Sequence, residues 1–228
     1  MAYNTFAPIV NTNLVLCLDS VNSKSYPGTG SSFYDLTSSG YNFNFASSPP
    51  NFTGVLNFDG VTDYGTMSYN STFDLSSTSF TIEGYFMSNS FASGQCLISK
   101  DTYGFNFDWG LVISDSVTLT FWSAGSATNV TATVPSMIPG RWYHYVVTAD
   151  KNITNDIRIY LDGILYQGPT NMDVTNSSQI SLTVGALGGI TTQTYYLNGS
   201  LSTVRIYRYR LSDSQILQNY NTLKNRFI

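Results

Sequence analysis

The sequence predicts an all-β protein, an antiparallel sandwich with one short helix at its C-terminus. Three observations carry this. Apolar and polar residues alternate with period two through most of the 228 residues, clusters of Gly, Pro, Asn and Ser interrupt the alternation at short intervals, and helical spacing occurs once, near the end. The 17 Tyr, 14 Phe and 3 Trp supply apolar surface for one large core, and the length fits a single large β domain.

Taken in order, residues 1–13 read as a separate arm, with Phe6, Pro8 and Ile9 as its apolar anchor, ahead of a sandwich domain over 14–228. The opening has no basic start, and its apolar run from Leu14 to Leu18 is too short for a signal core. No stretch approaches the ~18 apolar residues of a membrane helix. Residues 22–50, rich in Gly, Ser, Pro and Asn, read as surface loops with short strands. From Ser79 to Met87, Phe80, Ile82 and Phe86 share one face and Thr81, Glu83 and Tyr85 the other. Between Phe105 and Ile113, Phe105, Phe107, Trp109, Leu111 and Ile113 oppose Asn106, Asp108 and Gly110. Leu119 and Phe121 point inward, leaving Trp122 as an aromatic on a polar face. Arg141 to Ala149 is apolar on both faces, the pattern of a central strand covered on both sides. Asp156 to Tyr166 carries an Asp-Gly hairpin turn. Ser212 and Gln215 form a capping box, and Ile216, Leu217, Tyr220 and Leu223 then make an apolar stripe at helical spacing.

Charge narrows the function. Only 11% of residues are charged, against about 25% in an average domain, so Ser, Thr, Asn and Tyr must wet the surface. Ten Lys and Arg against fourteen acids, with no basic run, leave no footprint for a phosphate backbone, and nucleic acid is not an expected partner. Cys17 and Cys96 lie in apolar strand-like runs and read as two buried free thiols. His144 sits in the central strand and reads as a hydrogen-bonded core histidine rather than a general base. One His and two distant Cys cannot assemble a zinc site. No Gly-rich phosphate loop lies between a strand and a helix.

A series of motifs in fixed order resembles the concanavalin A-like lectin and glucanase superfamily, in its laminin-G or pentraxin-like branch. The motifs are Phe58-Asp-Gly-Val-Thr-Asp-Tyr64, Ser79-Phe-Thr-Ile-Glu-Gly-Tyr85, Leu97-Ile-Ser-Lys100, Gly140-Arg-Trp-Tyr-His144, Ile159-Tyr-Leu-Asp-Gly163, Val184-Gly-Ala186, Arg205-Ile-Tyr207 and the segment Leu211 to Tyr220. The resemblance implies a jelly-roll sandwich of about a dozen strands in two curved antiparallel sheets. The start, Leu14 to Ser20 with Lys24-Ser-Tyr-Pro-Gly28 and Phe33-Tyr-Asp-Leu36, is similar to a variant found in virion proteins of tailed bacteriophages. It implies a non-enzymatic capsid decoration or fibre-associated subunit. Such a subunit is synthesised in the host cytoplasm, assembled as a homo-oligomer with capsid or tail proteins, and displayed on the virion surface. Deletion of residues 1–11 is then expected to leave the fold intact and release the subunit from particles.

Retaining glycosidases of the resembling fold use a Glu-x-Asp-x-Glu strand, since nucleophile and acid must stand about 5 Å apart. Glu83 is the only glutamate here, so that active site is not expected. The alternative to a virion subunit is a lectin module that recognises cell-surface glycans through Trp122, Tyr160 and Tyr207, which lie on the less apolar faces of their strands. The competing reading of these rings is a subunit contact. Calcium is the one metal the resemblance implies, with Asp59, Asp63 and Asn198 as candidate ligands at the rim. The competing reading of the same aspartates is ordinary turn formation.

Overall fold

Alternation produces strands where the pattern places them. The protein is described by a computed structural model over residues 7–46, 49–102, 106–123, 129–153, 156–174, 179–188 and 194–227, with residues 102, 106 and 107 described by their backbone alone. Two antiparallel sheets of eight strands each face one another. The first runs Ile164–Asn171, Asp156–Leu161, Trp142–Asp150, Phe80–Ser88, Asn198–Tyr207, Leu56–Asp59 and Asn51–Phe52. Leu14–Asp19 also pairs with Asn198–Tyr207, along residues 203–207, while Leu56–Asp59 takes residues 198–201. The second sheet runs Val130–Thr133, Thr118–Ser123, Asn106–Asp115, Gln95–Thr102, Leu182–Val184, Gly65–Met67, Phe43–Phe45 and Ser32–Phe33. The excess over a dozen strands comes from pieces of two or three residues, such as Ser32–Phe33 and Phe43–Phe45 in the loop-rich region.

The inner faces meet as the period-two reading requires. Phe80, Ile82 and Phe86 join Trp109, Leu111, Ile113 and Phe121 in one buried cluster, and the Phe80 and Phe121 rings lie 5.9 Å apart. Of the predicted apolar face of residues 105–113, Phe105 and the Phe107 side chain fall outside the described residues. Gly84 is required at the centre of its strand: a Cβ there would stand 2.0 Å from the Thr203 carbonyl and 2.6 Å from the Tyr145 hydroxyl. Between the sheet's Asp156–Leu161 and Ile164–Asn171, Asp162 and Gly163 turn the chain at φ 51° and 77°, the left-handed pair that a tight hairpin needs.

The outer face of the first sheet departs from expectation. Thr81, Glu83, Tyr85, Arg205 and Tyr207 are all buried beside the core His144, because the helix Asp213–Leu223 lies across them. The helix begins with the predicted capping box: Ser212 Oγ accepts from Gln215 N at 3.3 Å and Ser212 N donates to Gln215 Oε1 at 2.9 Å. Of its apolar stripe, Ile216 and Leu223 are buried, but Leu217 is 47% exposed and Asn219 takes the inward position. An amide is favoured there because a buried carboxylate waits beneath it.

The arm is not a separate unit from residue 7 onward. Val10 is buried among Val146, Tyr160, Tyr207, Leu211 and Ile216. Its N–H donates to Asn219 Oδ1 at 2.8 Å and its carbonyl accepts from the Tyr207 hydroxyl at 3.0 Å. The Pro8 and Ala7 carbonyls accept from Gln218 and Thr222 of the helix. Residues 7–10 thus complete the helix's apolar seat. Phe6 lies outside the described residues.

Candidate functional site

Where the C-terminal tail passes the hairpin turn at Asp162 and Gly163, the outer face opens into a groove of about 460 Å³ lined by Tyr85, Arg141, Trp142, Asp162, Tyr220 and Phe227, among others. A second hollow of about 370 Å³ adjoins it and shares Arg141, Asp162 and Tyr220. Arg141 and Asp162 thus stand between the two, with Nη2 and Oδ2 3.3 Å apart and the Arg141 side chain 58% exposed. The Arg141 guanidinium also lies 4.9 Å from the Tyr143 ring centroid. Asp162 is held by its own turn, accepting from His144 N at 2.9 Å while its N–H donates to the His144 carbonyl.

A file of rings runs along the groove and beneath its floor. Trp142 and Phe227 are 4.8 Å apart, Phe227 and Tyr85 4.6 Å, Tyr85 and His144 4.8 Å, and His144 and Tyr220 5.8 Å. The Tyr85 hydroxyl donates to the Tyr220 carbonyl at 2.8 Å, tying the central strand to the helix end. Burial, then the Asp162 charge, pushes the Tyr220 hydroxyl up, so it stays a neutral donor and acceptor. Half-exposed Trp142, Tyr220 and Phe227 beside the Asp162 carboxylate, the Arg141 guanidinium and the Lys224 ammonium suit a ligand with apolar C–H faces and hydroxyl edges. Bond cleavage by a carboxylate pair needs two such groups, and Asp162 is the sole carboxylate among the described residues lining either hollow.

Under the groove floor lies a sealed charge network. Glu83 Oε1 accepts from Arg205 Nη1 at 3.0 Å, Asn219 Nδ2 at 2.9 Å and the Tyr207 hydroxyl at 3.1 Å. Glu83 Oε2 stands 3.5 Å from His144 Nε2, and both side chains are fully buried. Burial opposes ionisation of Glu83, but His144, Arg205 and Asn219 together outweigh it and bring its carboxyl down to about 2. His144 is in the core as expected, yet its ring nitrogens have no hydrogen-bond partner among the described residues; it is packed between the Tyr85 and Tyr220 rings instead.

The sequence-predicted site residues do not converge. Tyr160 and Tyr207 are 1% and 0% exposed, so neither can offer a ring face; both serve the helix seat, Tyr160 donating to Asp213 Oδ1 at 2.8 Å. They lie on the less apolar faces as predicted, but a helix covers that side. Trp122 belongs to the other sheet, packed against Cys96, Val112 and Leu187 and edge-on to Tyr195 at 5.6 Å. Pro8 and Ile9 run along the helix of their own chain, Pro8 through its carbonyl bond to Gln218. Cys17 and Cys96 are free and buried, as read.

Asp59 and Asp63 close their own turn. Asp59 Oδ1 accepts from the N–H groups of Val61, Thr62 and Asp63, and Asp63 Oδ2 accepts from Asp59 N. Burial opposes ionisation of Asp59, but the Thr62 and Val61 N–H groups, the Thr62 hydroxyl and Asp63 N outweigh it, holding its carboxyl at about 2. Burial and then the Asp59 charge push Asp63 up. Asn198 faces Asp59 across the strand pair and accepts from Asn89 Nδ2 at 3.1 Å. Among the described residues, no group of three or more His, Cys, Asp or Glu is placed to hold a metal ion.

The groove residues were visible in the sequence only as something else. The run Gly140 to His144 reads as strand and Asp162-Gly163 as turn; what it does not show is that the helix end brings Tyr220 and the tail brings Phe227 beside them. An arginine at the mouth of an otherwise apolar strand was the available signal.

The comparisons bear on this architecture. Among solved structures, Trypanosoma rangeli sialidase in complex with sialic acid superposes with a TM-score of 0.71 at 18% identity, over 96% of this chain and 34% of the sialidase chain. A structure of botulinum neurotoxin type C, whose cell entry depends on interaction with two ganglioside molecules, superposes at 0.63 and 17% identity, over 92% of this chain and 51% of that one. The binding domain of botulinum neurotoxin DC, in complex with rat synaptotagmin II, gives 0.61 at 18% identity, over 92% and 52%. The chain thus spans about a third to a half of the chains it matches, and at these identities the likeness is one of fold. No curated protein matches the sequence. A family model described as Concanavalin A-like lectin/glucanases superfamily, Laminin_G_3, matches residues 59–217. The chain belongs to that superfamily.

Proposed function

We propose that the chain is a non-catalytic glycan-binding module whose ligand lies in the groove between the hairpin turn and the C-terminal tail. The observation that carries this is the pairing of Arg141 with Asp162 between two aromatic-lined hollows, a polar clamp on stacking surfaces. The single carboxylate there supports binding without hydrolysis. The superfamily and the ganglioside-dependent neurotoxin neighbour support the ligand class. A glycan array, run with and without calcium, is the test. A hit lost in both Arg141→Ala and Trp142→Ala, with thermal unfolding preserved, is the expected result. A hit unchanged in both variants overturns the groove, and a hit lost in Trp122→Ala moves the site to the other sheet. Calcium dependence that Asp59→Asn removes would support an ion at the Asp59 and Asp63 rim.

The setting we infer is the surface of a tailed-phage particle, where the module is non-enzymatic and displayed in many copies. The similarity of the segments Leu14 to Ser20, Lys24 to Gly28 and Phe33 to Leu36 to virion proteins supports it. Mass spectrometry of purified virions tests it, and absence of the chain from intact particles overturns it.

A further inference from the structure

Away from the groove, Lys100 is buried to 1% exposure, an unusual place for a lysine. Its Nζ contacts Asp108 Oδ2 and lies 2.7 Å from Asp74 Oδ1. The Asp108 side chain is fully buried, whereas Asp74 is 24% exposed. The Tyr69 ring covers the amine at 5.3 Å, and the Tyr69 hydroxyl donates to the other Asp74 oxygen at 2.9 Å. Trp109 and Phe73, both in the core, close the surroundings, with Trp109 Nε1 donating to the Phe73 carbonyl at 3.5 Å. One amine thus meets two carboxylates, one sealed with it in the interior and one at the edge of solvent. As ions the three groups carry a net negative charge, costly to bury.

We propose that Lys100 and Asp108 condense to an isopeptide bond within the folded chain, with Asp74 as the proton shuttle. In the reacting pair the ammonium gives one proton to the Asp108 carboxylate, leaving an amine beside a carboxylic acid with no change in the net charge of the site. The Nζ lone pair attacks the Asp108 carboxyl carbon and an N–C bond forms. Asp74 takes the second proton from the nitrogen and delivers it to the hydroxyl, whose C–O bond breaks, and one water leaves. Nothing is oxidised or reduced. The driving force is proximity: well-oriented intramolecular reactants reach effective molarities of about 10⁵–10⁸ M, far above that of the water that would reverse the step. The bond removes one positive and one negative charge from the interior and leaves Asp74, the partly exposed member, ionised. It also fastens the strands Gln95–Thr102 and Asn106–Asp115 side chain to side chain.

The test is the mass of the purified full chain. The expected result is a mass lower by one water than the sequence requires, absent in Lys100→Met, and a branched tryptic peptide joining Lys100 to Asp108 by fragmentation. Asp74→Asn is expected to slow or abolish the loss. A wild-type chain of uncondensed mass that trypsin cuts after Lys100 overturns the proposal, whatever the variants do. A link to Asp74 instead overturns the assignment to Asp108, and full condensation in Asp74→Asn overturns the shuttle.

Discussion

Glu83 and Arg205 face each other across adjacent strands with Oε1 and Nη1 3.0 Å apart, and neither side chain exceeds 2% exposure. The sole glutamate of the chain is thus an anchor rather than a reactive group: its oxygen gathers the Arg205 guanidinium and the Tyr207 hydroxyl from the neighbouring strand and the Asn219 amide from the helix. Removing one member of such a buried set leaves the others charged or unsatisfied, at a cost of about 3–5 kcal/mol. Glu83→Ala is therefore expected to lower the urea midpoint sharply, and Asn219→Ala by less, since it strips one neutral donor. A midpoint unchanged in Glu83→Ala would mean that the network does not hold the helix.

The same carboxylate sets an acid limit. Its folded value is about 2 against an ordinary 4.5, so its contribution is fully present above pH 4.5 and is lost as pH falls through 2. Asp59, also held at about 2, acts in the same direction from a more exposed turn and is worth less. The urea midpoint of the wild type is expected to fall across this window, while that of Glu83→Gln falls less steeply. Parallel curves would assign the acid sensitivity to other groups.

Tyr160 and Tyr207 separate stability from recognition. Each hydroxyl is a donor inside the helix seat, Tyr160 to Asp213 and Tyr207 to Val10 and Glu83. Tyr207→Phe leaves a buried carbonyl and carboxylate short of a donor, at about 1–3 kcal/mol, and Tyr160→Phe costs less because Asp213 is exposed. Neither is expected to change glycan binding, whereas Trp142→Ala is expected to abolish it with little loss of stability. Binding that tracks Tyr207→Phe rather than Trp142→Ala would return the site to the sheet face.

What the sequence makes legible follows period and turn chemistry. Phe80, Ile82 and Phe86 declare one face, Asp162-Gly163 declares the hairpin, and Ser212 with Gln215 declares the helix start, because each is a local rule read within a few residues. What it hides is which face is covered twice. Thr81, Glu83 and Tyr85 are polar and amphipathic, the pattern of a solvent face, yet a helix more than a hundred residues downstream buries them. That one docking event demotes Tyr160 and Tyr207 from candidate binders to packing residues. It also turns Asn219 inward in place of Leu217 and, by placing Tyr220 and Phe227 beside Trp142, creates the groove. Long-range contacts of this kind leave no local signature.

The N-terminal segment is tied to the helix that covers the first sheet. Val10 is 9% exposed within the helix seat, and the backbone of residues 7–10 exchanges four hydrogen bonds with Tyr207, Gln218, Asn219 and Thr222. Losing the burial of one valine side chain costs about 1.5–3 kcal/mol, and the Tyr207 hydroxyl and Asn219 amide lose buried partners at about 1–3 kcal/mol more. Deletion of residues 1–11 is therefore expected to lower the unfolding midpoint by several kcal/mol in free energy, with Val10→Ala giving a smaller drop in the same direction. Because the lost bonds touch Asn219 and Tyr207, the deletion should also blunt the effect of Glu83→Ala, a non-additivity that a double-mutant cycle measures. A deletion with the wild-type midpoint would show that the segment adds nothing to the helix seat, and particle release could then be read as loss of an anchor alone.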